Sequence, residues 1–320
     1  MNRLTITSGL IAALTLSTSA LAWHNQGHMM TAAVAWTKMT PGARCRATLL
    51  LQSNPEYSRG LQNPTHIDPA AALFVNAATW PDRIKATGSG FIDDGDDAVH
   101  VGAAAALNQG LSDLRKHKYW HFVDNPVPLG PGHPPPAVNA VERVALFANT
   151  INNRHTPIPL KAYDLAWLIH LVGDLHQPLH TTSQFGPAFA HGSDAGGNNI
   201  AVVFTGYQEL HGFWDGTPGD QRDNMHVLAD SVGAASHLPS PPVAAANVTN
   251  PQKWANESYQ LALSRAFIAP IVLQSAGPFT LTSTYASGAR TVGRDQVALG
   301  GVRLAHLLNA ILTWPAPGCP

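Results

Sequence analysis

Two short segments of this chain place a histidine and an aspartate four residues apart: His170-Leu-Val-Gly-Asp174 and His211-Gly-Phe-Trp-Asp215. That interval stacks two side chains on one face of an α-helix. Each segment is therefore a pair of metal-ligand groups if it folds as a helix. The first pair also has His180 about one helical turn further on, just past Pro178. One such pair is a weak signal by itself; two, with a third imidazole, point to metal. Nitrogen and carboxylate donors without thiolate suit zinc, and zinc sites that also hold water are usually catalytic.

The periodicity around these segments predicts an all-α, mainly helical protein in one compact domain. Helices are expected over His28–Lys38, Pro41–Leu51, Ala137–Asn152, Pro159–His176, Asn256–Ala269 and Arg290–Leu312. Proline supplies a start near Pro41 and a stop at Pro178. Asn199–Thr205 is the best strand candidate, half of a short β-hairpin. Residues 86–116, 126–136, 183–197 and 216–253 read as loops. The first holds the acidic run Asp93-Asp94-Gly95-Asp96-Asp97, whose spacing is not that of an EF-hand, so a solvated loop is favoured over a calcium site. Asn247-Val-Thr and Asn256-Glu-Ser fit the N-glycosylation sequon.

Residues 1–22 read as a signal peptide. Arg3 is a short positive region, Leu10 to Leu16 is an apolar run too short to span a bilayer, and Ala20-Leu21-Ala22 is a small-residue cleavage pattern. Cleavage between Ala22 and Trp23 leaves residues 23–320 as the domain, with no later run of membrane-spanning length. The mature protein is expected to be secreted or periplasmic, with no membrane anchor and no obligate protein partner. In an exported chain Cys45 and Cys319 have the option of one bridge between the C-terminal tail and an early helix; two unpaired thiols are the alternative. Charged residues make up only 12% of the chain, the net charge is −1, and there is no Lys/Arg-rich run. A bound polyanion would therefore be held mainly by something other than basic side chains. The sixteen histidines nearly match the nineteen Lys plus Arg, and neutral imidazole is the commonest metal ligand.

Three further segments carry similar donors. Trp80-Pro-Asp82-Arg-Ile-Lys85 sets a carboxylate after an aromatic-proline corner, and Trp120-His121-Phe122-Val-Asp124 flanks an imidazole with rings. Each alone reads equally as a buried aromatic beside a surface polar group. The third is Trp23-His24-Asn25-Gln26-Gly27-His28. Cleavage before Trp23 frees an α-amine of reference pKa about 7.7–8. A metal would bind that amine and the Trp23 carbonyl as a chelate, with His28 arriving from the first helical turn. The ordinary alternative is a frayed terminus.

Taken in order, the chain shows Trp-x3-Gly-His, Trp-x-Asp, Trp-His-Phe-x-Asp, His-x2-Gly-Asp-x-His-Gln-Pro-Leu-His, Gly-Gly-Asn and Leu-His-x2-Trp-Asp. Trp254-Ala-Asn-Glu-Ser258 and the closing Gly301–Ala305 segment extend the match. This sequence resembles the trinuclear-zinc, single-strand-preferring nucleases of the S1/P1 type, cousins of bacterial zinc phospholipase C, over nearly the whole mature chain. The resemblance implies that Asp82, His121, His170 and Asp174 hold one zinc, and that Asp174 bridges to a second completed by Trp23 and His28. His180, His211 and Asp215 would hold the third.

The same resemblance implies hydrolysis of single-stranded DNA and RNA to 5′-phosphate products by a hydroxide between two zincs, with 3′-nucleotidase activity besides. Asp82 would orient the attacking water and Lys85 would stabilise phosphate, although the family commonly has Arg at the latter position. Lys lacks the bidentate fork, which puts orientation in doubt. Phe122 would stack a base and Asp124 would accept a hydrogen bond from its edge, which an unpaired base alone can reach. Three divalent ions against three carboxylates leave a positive cleft, consistent with the lack of basic patches. A zinc phospholipase C and a zinc-sequestering export protein are the competing readings. Asp215 and the wide interval between His180 and His211 argue against the first. An aromatic and an acid beside the ligands argue against the second.

Overall fold

The computed structural model describes residues 23–59, 61, 66–96, 106–129, 133–219 and 224–320, with the backbone alone at 224–227. The signal segment 1–22 and Asp97 of the acidic run lie outside the described residues.

Proline and short polar side chains set most helix starts. α1 (Asn25–Lys38) begins two residues after Trp23. α2 (Pro41–Gln52) has Pro41 at its first position, and Thr40 Oγ1 accepts from the Ala43 N–H, as proline and threonine favour there. Asp68 caps α3 (Pro69–Ala77), and α4 (Trp80–Arg83) is a single turn. α5 (Ala140–Asn152) is capped by Asn139, which accepts from Val141 and Glu142. α6 (Ile158–Asp174) follows Pro157, and α7 (Leu210–Asp215) is capped by Glu209. α8 (Asn224–Ala235), α9 (Val243–Ala246), α10 (Pro251–Leu261) and α11 (Ser283–Ile311) complete the helices of the described residues.

Every residue of α6 from Lys161 to Asp174 is buried. A helix covered on all sides is the centre of its domain, and the others pack around it. Trp167 meets Trp120 at 5.0 Å and Trp80 at 6.1 Å, both edge-on, the orientation that aromatic quadrupoles favour. α1 lies against α8 and α11, and α5 against α6. α11 is 29 residues long, about 44 Å at the usual helical rise. It approaches α1 at Gly301, where a Cβ would stand 2.7 Å from the Thr31 carbonyl oxygen and 2.6 Å from Val34 Cβ.

A three-stranded sheet sits beside a second apolar cluster around Phe213 and Trp214. β1 (Ala201–Phe204) pairs antiparallel with β2 (Tyr207–Glu209) and parallel with β3 (Phe279–Thr280). The hairpin expected from Asn199–Thr205 is present. No helix among the described residues is long and apolar enough to cross a membrane. Cys45 and Cys319 form a disulfide, which settles the alternative that the sequence left open. Arg46 reinforces it by donating to the carbonyls of Trp314 and Pro320.

Three sequence readings need correction. Residues 216–253 are not one loop: they contain α8 and α9, packed on α1 and α11. α10 begins at Pro251 under an Asn250 cap and gives way at Ala262 to a π turn. α11 begins at Ser283, seven residues before the expected start. Thr282 caps it there, and Tyr285 anchors the first turn by donating to Ala266 O and accepting from Trp214 Nε1.

Candidate metal centre

α6 brings His170 and Asp174 to one buried face, as their interval requires. His121 leaves a short 3-10 turn at Lys118–Trp120, and Asp82 comes from α4. His170 Nε2 and His121 Nδ1 lie 3.1 and 3.0 Å from Asp174 Oδ2, and 3.6 and 3.8 Å from Asp82 Oδ1. On the other side of Asp174, His28 Nε2 from α1 is 3.3 Å from Oδ1. A tetrahedral zinc with ~2.0–2.1 Å bonds sets its ligand atoms ~3.3 Å apart, the spacing these edges cluster around. Asp174 thus presents one oxygen to the His121–His170 pair and the other to His28.

Trp23 is fully buried beside this group. Its Nε1 donates to the carbonyl of Gly173, the residue before Asp174. Gly173 has no room for a side chain: a Cβ would be 2.9 Å from His28 Nδ1. The His24 N–H donates to Asp215 O, which ties the N-terminal segment to α7.

The second group lies along the same wall. His180 sits in the turn Pro178–Thr181 rather than on α6, and its Nε2 is 3.0 Å from His211 Nε2. Asp215 Oδ2 is 3.5 Å from His211 Nε2. Three of the rings are fixed through Nδ1, by the carbonyls of Ala78 for His170, of His121 for His180 and of Gly196 for His211. A ring that donates from Nδ1 keeps the Nε2 lone pair for a metal.

All eight side chains are buried. Burial first, then neighbouring cationic groups, holds His28, His121 and His180 well below the usual imidazole range, so they are neutral and able to ligate at neutral pH. His170 is raised: burial opposes its charge, but Asp174 and Asp82 outweigh it. Burial pushes Asp174 up to about 6 and Asp215 well above the carboxylate range. Asp82 is lowered, because Lys85 and nearby imidazoles overcome its burial. Lys85 Nζ stands 2.6 Å from Asp82 Oδ1 and is itself buried.

His28 Nε2 and Asp174 Oδ1 make no hydrogen bond among the described residues although both are buried. Unsatisfied buried polar atoms cost about 1–3 kcal/mol each, and a cation between them removes that cost. The donor set, the spacing and these orphaned atoms fit zinc.

Phe122 is half-buried on the edge of the main core, directly after His121. Asp124 is also half-buried, and Ser183 Oγ donates to its Oδ1 at 2.8 Å. The acidic run is not simply solvated: Asp93 and Asp96 pair with Lys118, while Asp94 meets His117 and accepts from Tyr119 Oη. His117 stacks on Trp120 at 3.6 Å and so supports the turn that presents His121. No local sequence signal gives Gln177, Ser183 or His117 a role. Gln177 and Ser183 lie inside or beside the quoted motifs, but only their partners in space distinguish them.

Fold and site together define a helical protein with three buried His/Asp groups, each able to hold a metal ion. The pattern of the S1/P1 Nuclease family matches residues 23–313, and the chain belongs to that family. Nuclease S1 of Aspergillus oryzae is 21% identical over 326 aligned positions, 95% of this chain and 97% of the relative. Endonuclease 1 of Arabidopsis thaliana is 23% identical, covering 97% and 93%. Nuclease P1 of Penicillium citrinum is 25% identical over 190 residues, 54% of this chain and 66% of the relative, a little under two thirds of that protein.

Proposed function

We propose that this chain is a zinc-dependent nuclease. It hydrolyses single-stranded DNA and RNA to products with 5′-phosphates, and it releases phosphate from 3′-nucleotides. The observation that carries this reading is the Asp174 carboxylate, whose two oxygens face separate imidazole groups from α1 and from α6 with its neighbouring turn. A shared carboxylate between two donor sets suits a pair of ions, and His180, His211 and Asp215 offer a third set.

In this reading Asp82, His121, His170 and Asp174 hold one zinc, Asp174, His28 and the Trp23 amine and carbonyl the second, and His180, His211 and Asp215 the third. Bound zinc supplies water of lowered pKa and stabilisation of charge on phosphate and leaving oxygens. The protein's own groups do the rest. Asp82 orients the attacking water, held in position by Lys85. Lys85 also places positive charge beside the phosphate. Phe122 stacks a base, and Asp124, oriented by Ser183, accepts from the base edge. An unpaired base is required to enter, so single strands are preferred.

Residues 1–22 act as the signal, the single domain runs from Trp23 to the C-terminus, and the mature protein works outside the cytoplasm. The Cys45–Cys319 disulfide supports an oxidising compartment.

The test is cleavage of matched single- and double-stranded oligonucleotides by protein beginning at Trp23, with and without a chelator. Faster, chelator-sensitive cutting of the single strand with 5′-phosphate ends is expected. A fully zinc-loaded protein that leaves both strands intact refutes the reading. A chain starting with an added Met before Trp23 should lose one zinc and most activity; three zincs and full turnover there refute the terminal ligand alone.

A further inference from the structure

The connection between α6 and His180 contains a buried amide that the chemistry above does not use. Gln177 is fully buried, and its side chain spans two partners. Its Oε1 accepts from the Leu179 N–H at 2.5 Å, and its Nε2 donates to Asp215 Oδ1 at 2.7 Å. These partners fix the amide's orientation without ambiguity. A backbone N–H demands the oxygen, so the NH2 group must face the carboxylate.

Asp215 has two oxygens with different duties. Oδ1 is engaged by Gln177, while Oδ2 faces His211 Nε2 at 3.5 Å. Resting on the three-site reading above, we infer that Gln177 is a positioning residue that keeps Asp215 a one-oxygen ligand of the metal held with His180 and His211. A carboxylate free of such a partner can turn both oxygens to an ion. One that is held gives a single donor and leaves room for water or a substrate oxygen, the trait that separates catalytic from closed zinc sites.

The position of Gln177 suits this duty. Its N–H donates to Asp174 O at 2.9 Å, and the N–H of His180 donates to its carbonyl at 3.1 Å. One residue thus links Asp174, His180 and Asp215, and Ser258 Oγ braces the same turn through the Leu175 carbonyl at 2.6 Å.

The experiment is zinc titration against a competing chelator in wild type, Gln177→Glu and Gln177→Leu, each starting at Trp23. Gln177→Glu keeps an acceptor for the Leu179 N–H but loses the donor to Asp215. Gln177→Leu cannot introduce charge. Both are expected to weaken one of three zincs about 10- to 100-fold and leave the other two unchanged, the usual range for loss of an outer-shell partner. Loaded with cobalt(II), both should also show altered visible bands, which report coordination number. Three unchanged zinc affinities and an unchanged cobalt spectrum in the variants overturn the inference. A wild-type chain that binds fewer than three zincs overturns the three-site reading, and this inference with it, before any variant is compared.

Discussion

At the scale of single residues, the site is a set of constraints on neighbours. His121 is a ligand candidate, and the next side chain, Phe122, stands half-buried at the core edge. Stacking of a base on such a ring contributes roughly 1–3 kcal/mol. Phe122→Ala should therefore raise KM on oligonucleotides about tenfold while zinc content stays unchanged. Steady-state kinetics beside metal analysis checks this, and an unmoved KM counts against the stacking role. The donor types and their intervals were legible in the sequence because an i, i+4 repeat translates directly into a helical face. Gln177 and Ser183 were not. Their importance lies in contacts with Asp215 and Asp124, 38 and 59 residues away, and no local pattern encodes a distance of that kind.

At the scale of elements, the helices that sequence reasoning located best are those whose starts carry their own signal, such as Pro41 after Thr40. It misplaced α11, whose start depends on remote partners, and it also passed over the local Asn250–Pro251 signal that starts α10. The first two turns of α11 are small and polar, and they hold because Tyr285 reaches Ala266 and Trp214. The same helix offers a paired test of close packing. At Gly301 an added Cβ meets the Thr31 carbonyl at 2.7 Å, whereas at Gly288 nothing lies within 4 Å. Overpacking against backbone costs about 1–3 kcal/mol, more than the ~1 kcal/mol that alanine gains over glycine in a helix. Gly301→Ala should lower Tm by a few degrees, and Gly288→Ala should leave it unchanged or raise it. Thermal unfolding followed by circular dichroism distinguishes the two.

At the scale of the molecule, α6 carries a buried carboxylate with no part in the metal centre. Both oxygens of Asp164 accept from Asn108 Nδ2, and burial pushes its carboxyl up to about 7, against the pull of Asn108, Thr150 and Arg143. Its unfolded value is about 3.9, so between roughly pH 4 and 7 the folded state binds the extra proton. Stability from this group is therefore present at low pH and is lost as pH rises through that window. In Asp164→Asn the loss is absent. Relative to wild type, the variant's Tm should climb from pH 4 to 7 and then level off. A difference that stays flat across this range assigns the pH dependence elsewhere.

The pairing of α1 with α11, described above as a close approach at Gly301, also bears on how the molecule comes to exist. The helix that leads the chain finds its main partner at the end, and Cys45 finds its own at Cys319. Contacts of such long sequence separation form late and slowly. His28 is delivered by that leading helix, so the placement of a ligand candidate from the start of the domain leans on a helix at its far end.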